Sequence, residues 1–329
     1  MGAAITACGA ALPKKTLDNE ELARRLEVDE DWIYVRTGIR SRRIASENDT
    51  TGSLATQAAS QVLDRAGVAA EDVDLVIVAT FTPDYQLPAT APLVAAALGA
   101  GNAGAFDISA ACSGFLYGLA QASALIENGT AKRVLVCGAD VLSRITDYSD
   151  PRSCVLFGDG AGAALLERIE GPTRLGPFRL MADGTRPELL WIPPDKGVMQ
   201  MEGREVYKRA VAGMSATVNE VLQESGLTID DVDLVVAHQA NARILKAVAE
   251  RLAVPDDKVM TNIAKVGNTS AASIPLAIAE AYETGRISDG DRIVVTAFGG
   301  GFTWGAGLLT WGVGQRQEGE LTVAGRSRA

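Results

Sequence analysis

The chain predicts an α/β protein built from two similar halves. Three observations carry that reading. Apolar runs of strand length alternate with longer helix-like segments along the 329 residues. The short runs, such as Leu75-Val-Ile-Val-Ala79, are continuous in Val, Ile and Leu, as in strands covered on both faces. The pattern also repeats: Asp72-Val-Asp-Leu-Val76 recurs as Asp231-Val-Asp-Leu-Val235, and Arg133-Val-Leu-Val136 as Arg292-Ile-Val-Val295, both 159 positions later. One offset shared by two strands marks a duplicated unit.

Taken in order, Ile5 to Gly9 reads as a short strand leading into a turn at Leu12-Pro13. The opening Met1-Gly-Ala-Ala-Ile-Thr6 fits the loose N-myristoylation pattern, but the strand accounts for it without a lipid. A helix pattern from Ser53 to Ala66 stops at Gly67, and Asp74 to Thr80 follows as a buried strand. Pro92 to Leu98 is helix-like and Gly104 to Ile108 is a strand. Between them Gly99-Ala-Gly-Asn-Ala-Gly104 satisfies G-x-G-x-x-G, yet helix precedes strand, the reverse of a dinucleotide fingerprint. It reads instead as a helix C-cap and turn. A helix from about Ser113 to Glu127 stops at Gly129, and Lys132 to Gly138 is the next strand. The same grammar returns after residue 170, giving halves at 1–168 and 171–314 about a pseudo-twofold axis and a polar tail at 315–329. Sites in such folds lie where the halves meet, at the C-terminal ends of strands. Phe157-Gly-Asp-Gly-Ala-Gly162 and Phe298-Gly-Gly-Gly-Phe302 lack the order and the lysine of a phosphate loop. Their glycines mark places where another backbone or a substrate comes close.

Composition excludes several classes. Hydrophobic residues at 47% and charged residues at 22% suit a soluble globular chain, not a disordered or collagen-like one. Lys plus Arg number 31 against 41 Asp plus Glu, a formal charge of −10, so no nucleic-acid partner and no membrane partner is expected. No window approaches the ~20 apolar residues of a bilayer span. The N-terminus has no signal-peptide pattern, so a cytoplasmic location with reduced thiols is expected. Cys8, Cys112, Cys137 and Cys154 have no metal-ligand cadence, and His238 is the single histidine, so no metal is expected.

Three segments carry chemistry. In Phe106-Asp-Ile-Ser-Ala-Ala-Cys112-Ser-Gly, a strand ends near Ser109 and a helix begins near Cys112. A thiol there sits at the positive end of a helix dipole, which lowers its pKa, and the turn's N–H groups can hold an oxyanion. A small buried core thiol is the competing reading, and the one adopted for the other three cysteines. His238, in Val-Val-Ala-His238-Gln-Ala-Asn241-Ala-Arg243, falls at the end of the second-half copy of the 74–80 strand. A lone histidine is often structural, but a strand end beside Gln and Asn suits catalysis. Asn268, in Val266-Gly-Asn268-Thr-Ser-Ala-Ala-Ser273, either caps the following helix or belongs to a site.

Together these segments resemble β-ketoacyl-[acyl-carrier-protein] synthase III, of the thiolase-like fold. Asp31-Trp32-Ile, Arg36-Thr-Gly-Ile39, Phe157-Gly-Asp-Gly-Ala-Gly162 and Phe298-Gly-Gly-Gly-Phe-Thr-Trp304 match as well, in order, from about residue 5 to Trp311. The resemblance implies two α/β halves in a five-layered αβαβα arrangement and an acyltransferase that needs no cofactor, acyl-CoA being a substrate. It implies that Cys112 takes an acyl group from CoA and that malonyl-[acyl-carrier protein] then loses CO2 and condenses with it, initiating fatty-acid synthesis. His238 and Asn268 would stabilise the enolate, and the N–H groups of Cys112 and Gly300 would form the oxyanion hole. Trp32, Arg36 and Arg152 match CoA-binding positions. Lys208, Gln239, Ala240, Asn241, Ala242 and Arg243 match the docking surface for the acyl-carrier protein. Leu87 and Phe157 fall in the primer pocket, Leu87 reaching across a homodimer. One histidine cannot supply the Cys-His-His set of elongating ketosynthases, and no cysteine after 154 supplies a thiolase's second thiol.

The chain departs from the family at two points. Pro151 stands where an adenine-clamping arginine is usual, with Arg152 one place late, and Arg204 follows Gly203 where Asn is common. Two further readings stand beside the leading one. The chain either primes a polyketide or transfers an acyl group in secondary metabolism, or it is a non-catalytic partner subunit. The presence of Cys112, His238 and Asn268 together weighs against the last.

Overall fold

A computed structural model describes residues 1–313; the expected tail at 315–329 lies outside the described residues. Two sheets form its frame. In the first the strands run in the order Gly2–Ala11, Gly160–Ile169, Arg133–Asp140, Leu75–Ala79, Gly104–Ile108. The first two junctions are antiparallel and the last two parallel. The second sheet repeats the scheme with Leu175–Ala182, Thr303–Thr310, Arg292–Gly299 and Leu234–Ala237. Its junctions are antiparallel, antiparallel and parallel. A lone parallel bridge from Val235 to Val259 stands where the first sheet has its fifth strand.

Helices Gly114–Glu127 and Ser273–Glu283 lie between the sheets. Thr51–Ala66 and Thr90–Leu98 cover the outer face of the first sheet, and Gly203–Glu224 and Ala242–Leu252 that of the second. The stack is therefore αβαβα, and each of its apolar cores fills one side of a sheet. Side-chain alternation decides which residues go where. Ile77 and Val236, 159 apart, both enter the central core, whereas Val76 and Val235 both face outward. Val134 and Val136 match Ile293 and Val295 in the same way. Continuous apolar strands are required because both faces of each sheet are covered.

The sequence readings of single elements hold, with small shifts at the ends. The 53–66 helix starts at Thr51, because Thr50 and Ser53 form a reciprocal capping box ahead of it. Gly99 closes its helix in a left-handed conformation, φ +84°, its N–H donating to the Ala95 and Ala96 carbonyls, as the C-cap reading of that glycine motif requires. The N-terminal strand is longer than expected, and Gly2 to Ala4 are buried within it. Among the described residues no helix is long and apolar enough to cross a membrane.

The duplication extends to the turns that open the two central helices. Ala111–Ser113 precedes Gly114, and Ser270–Ala272 precedes Ser273, each residue 159 positions from its counterpart. Both turns begin with a left-handed non-glycine residue, Ala111 at φ +45° and Ser270 at φ +51°. Such a conformation costs about 1–3 kcal/mol and persists only where the surroundings impose it. The surroundings here are the opposite half: a Cβ added at Gly138 would collide with the Ala271 carbonyl oxygen. Gly138→Ala should therefore destabilise the fold by about 1–3 kcal/mol, measured by chemical denaturation. An unchanged midpoint would show that the two halves can part there without loss.

Candidate active site

Cys112 lies in the turn after strand Gly104–Ile108 and just ahead of helix Gly114–Glu127. Two bonds from the second half fix this turn. Thr303 Oγ1 donates to the Ala110 carbonyl at 2.8 Å, and Ser113 Oγ donates to the Thr303 carbonyl at 2.9 Å. They bring the 298–302 glycine loop against the Cys112 turn so closely that a Cβ on Gly299 would lie 2.7 Å from the Cys112 nitrogen. Only glycine leaves that amide open.

The thiol corrects one expectation. Its pKa is pushed up, to about 12, rather than lowered. Burial is the main cause and the negative charge of Asp140 adds to it, while hydrogen bonding by Ser270 and by the turn's own amide pulls the other way. The residue opens on a cavity, but the sulfur sits among protein atoms, so the positive end of the helix does not prevail. At neutral pH the side chain is therefore a protonated thiol. Cys8, Cys137 and Cys154 are buried and unpaired, as the core reading requires.

His238 follows strand Leu234–Ala237, its backbone N–H bonded to the Thr296 carbonyl at 2.8 Å. The ring is buried and neither nitrogen has a hydrogen-bond partner among the described residues. Burial holds its pKa down to about 3, so the imidazole is neutral. Asn268 lines the cavity but does not cap the helix that follows, which starts without a side-chain cap. Its Oδ1 accepts from the Ser270 N–H at 3.0 Å, which steadies the turn and leaves the side-chain NH2 as the free donor. Its backbone is held between Leu156 and Gly158 of the opposite half, at 2.8 and 2.9 Å.

One cavity of about 1120 Å³ joins these groups. Cys112, His238, Asn268, Phe157 and Gly300 line one part, and Trp32, Arg36, Pro151 and Arg152 line another. The Arg36 guanidinium lies 4.4 Å from the centre of the Trp32 ring, a cation–π stack. The helix carrying both, Glu30–Thr37, is tied down by the segment after His238. Asn241 Nδ2 donates to the Arg36 carbonyl at 3.1 Å and Arg243 Nη2 to that of Val35 at 3.0 Å. Asn241 also caps helix Ala242–Leu252.

Other expected residues fall elsewhere. Gln239 is fully buried and its side chain is spent on the Ala237 and Met260 carbonyls and the Asn262 and Ile263 amides, so it is a scaffold residue and not part of a docking surface. Ala242 packs against Gly38, where an added Cβ would strike it. Lys208 does not line the cavity and pairs with Glu205 at 2.7 Å. Arg152 is exposed and pairs with Asp150 at 2.9 Å. Leu87 is 88% exposed and does not line the cavity of its own chain.

Sequence reading missed Asp140, Ser270 and Lys246. Asp140 is buried at the end of an apolar strand, a placement the strand pattern signals. Ser270 lies inside the motif already noted around Asn268, and Lys246 lines the cavity one helical turn beyond Arg243.

Residues 106–184 match the family described as 3-oxoacyl-[acyl-carrier-protein (ACP)] synthase III, and 222–311 match its C-terminal region. A β-ketoacyl-[acyl-carrier-protein] synthase III of Streptomyces coelicolor is 51% identical over 312 residues, 94% of each chain. The chain belongs to the β-ketoacyl-[acyl-carrier-protein] synthase III family. The crystal structure of the synthase III of Aquifex aeolicus superposes with a TM-score of 0.91 at 47% identity, covering 94% of this chain and all of that one. The priming β-ketosynthase of the R1128 polyketide pathway superposes with the same TM-score at 34% identity, covering 95% of this chain and 97% of that one. The αβαβα stack is thus the thiolase-like fold of this synthase family, whose members are acyltransferases.

The neutral histidine has a measurable consequence. The folded His238 titrates near 3 and an unfolded histidine near 6.5, so between those values the unfolded chain binds more protons. This group therefore makes stability fall as pH drops below about 6.5, by at most about 1.4 kcal/mol per pH unit. Unfolding free energies at pH 7.5 and pH 5 should differ less in His238→Asn than in the parent. Equal differences would place the ring in contact with water.

Proposed function

We propose that this enzyme condenses an acyl-CoA primer with malonyl-[acyl-carrier protein] to give 3-oxoacyl-carrier protein, CoA and CO2, as the initiating step of fatty-acid synthesis. One observation carries the proposal. A thiol, an unpartnered neutral imidazole and a free carboxamide NH2 converge on one cavity from both halves of the chain.

Cys112 attacks the thioester, and the N–H groups of Cys112 and Gly300 take the oxyanion of the tetrahedral intermediate. The acyl-enzyme then meets malonyl-carrier protein. Loss of CO2 leaves an enolate whose oxygen accepts hydrogen bonds from His238 and Asn268 Nδ2. A buried donor without a partner costs about 1–3 kcal/mol, and the developing enolate supplies the missing acceptor. Because His238 is neutral, it gives one N–H and carries no acidic imidazolium proton that would quench the enolate.

The rim fits the two carriers. Arg36, Arg152, Arg204, Arg243 and Lys246 line the cavity against a single acid, Glu250, on a chain whose net charge is −10. Such a local positive field suits the phosphates of CoA and an acidic carrier protein. Trp32 and Arg36 form the adenine-side platform, with Pro151 and Arg152 beside them. Ala240, Asn241 and Arg243 present the docking edge at the cavity mouth, and the exposed Lys208, next to the cavity-lining Tyr207, extends it. The active form is a cytoplasmic homodimer, in which the exposed Leu87 reaches the partner's primer pocket beside Phe157. A leucine there admits primers longer than acetyl.

Mass spectrometry after incubation with a series of acyl-CoAs should show an adduct on Cys112 that malonyl-carrier protein discharges as 3-oxoacyl-carrier protein. An adduct discharged only by another acceptor would move the enzyme to the priming or acyltransferase role of a secondary pathway. Adducts from acetyl-CoA alone would refute the longer primer. His238→Ala and Asn268→Ala should each slow condensation by about 10²–10³-fold while the acyl adduct still forms. Loss of adduct formation itself would assign those residues to the first half-reaction.

A further inference from the structure

Gln239 follows His238 in the chain and is wholly buried, with both polar atoms of its side chain engaged. Its Oε1 accepts from the Asn262 and Ile263 N–H groups at 3.0 and 3.3 Å. Its Nε2 donates to the Ala237 and Met260 carbonyls at 2.8 and 3.2 Å. Two pure donors face one end of the amide and two pure acceptors the other, so a carboxamide satisfies all four where a carboxylate or a hydrocarbon does not. The backbone N–H of Gln239 donates to Ser273 Oγ at 2.8 Å.

These bonds tie His238 to both flanks of Asn268. Asn262 and Ile263 open the helical turn Ile263–Val266, which leads through Gly267 into Asn268. Ser273 opens helix Ser273–Glu283 on the other side, after the turn Ser270–Ala272. Leu156 and Gly158 anchor the Asn268 backbone to the opposite half, and Gln239 supplies the tie to the histidine.

The first half folds without such a bracket. Ala79 and Thr80 stand 159 positions before His238 and Gln239, and Gly114 stands 159 before Ser273. There the strand end and the helix start touch directly: a Cβ on Gly114 would lie 2.9 Å from the Ala79 Cβ. The Thr80 hydroxyl turns instead to Asp140 of the neighbouring strand, at 2.9 Å. The scaffold therefore does not need a glutamine and a serine at this junction. They occur in the half that carries the two enolate donors.

We propose that Gln239 is a positioning residue for the condensation step, holding His238 and Asn268 at the separation that one enolate oxygen requires. Both donors must reach the same atom at about 2.7–3.1 Å. A misplacement of about 1 Å can cost about 10²-fold in rate. The Cys112 turn is held separately, by Thr303 and Ser113, so acylation does not depend on this bracket.

The inference rests on the enolate reading of His238 and Asn268, and its test separates the two. Gln239→Glu keeps the size of the side chain and the acceptor for Asn262 and Ile263, but turns a carboxylate oxygen toward the Ala237 and Met260 carbonyls. At pH 8 its condensation with malonyl-carrier protein should fall by about 10²-fold, while single-turnover acylation of Cys112 keeps the parental rate. Protonation gives that oxygen a donor again. The deficit relative to the parent should therefore shrink as pH falls through the new carboxyl's pKa, which burial and the two carbonyls push up. Ser273→Ala removes only the backbone tie and should slow condensation more mildly, again sparing acylation; if Gln239→Glu does not fold, Ser273→Ala decides. His238 is the single histidine of the chain, so its ring NMR signals are unambiguous, and they should move in both variants. Folded variants that condense at the parental rate, or that lose acylation and condensation alike, overturn the proposal. A parent enzyme that is acylated but never condenses with malonyl-carrier protein overturns the functional reading instead. The ring signals then judge the bracket, and signals that stay in place in both variants overturn it.

Discussion

Where strand Arg133–Asp140 passes the turn Ser270–Ala272, and where strand Arg292–Gly299 passes the turn Ala111–Ser113, backbone meets backbone with no side chain between. Gly138 and Gly299 make this approach possible. Two left-handed turns are pressed into place by it, and each central helix starts from one of them. The site inherits its geometry from that contact. Cys112 comes from one half, His238 and Asn268 from the other, and the strand ends that carry or flank them converge on one cavity.

Burial then sets the chemistry. In this interior a histidine is kept neutral, a thiol protonated, and polar atoms are left without partners where a reacting thioester would supply them. Arg42 shows the same economy away from the chemistry. It is fully buried and donates to the Leu17 carbonyl, Asn19 Oδ1 and the Val155 carbonyl. Among the described residues no carboxylate accepts from it, and burial lowers its pKa to about 10, so it remains charged at neutral pH. It ties the N-terminal segment behind the Val155–Phe157 wall and the Gly267–Asn268 turn, against which its Cβ packs.

At the mouth, charge and architecture share residues. Arg243 and Asn241 each hold the helix that carries Trp32 and Arg36. A substitution there acts on the shape of the entrance as well as on its field, and so differs from loss of an exposed cation such as Lys246, which pairs with Glu250 of its own helix at 3.7 Å.

Much of this was legible in the amino-acid order. Strand runs, glycine stops and the 159-residue offset determined the two-sheet duplication, because continuous apolar strands can fold only where both faces are covered. The motifs around Cys112, His238 and Asn268 marked the site because side-chain type and position at a strand end are local properties. What the sequence could not decide were quantities that depend on distant neighbours. The thiol's pKa rises because the packed interior desolvates it, with a smaller contribution from Asp140, although the local turn alone argues for a fall. Gln239 belongs to a motif that faces the cavity, yet it turns inward because Ala237, Met260, Asn262 and Ile263 satisfy its amide. Desolvation and hydrogen-bond partnership are set by which atoms end up close in space, and only the tertiary structure fixes that.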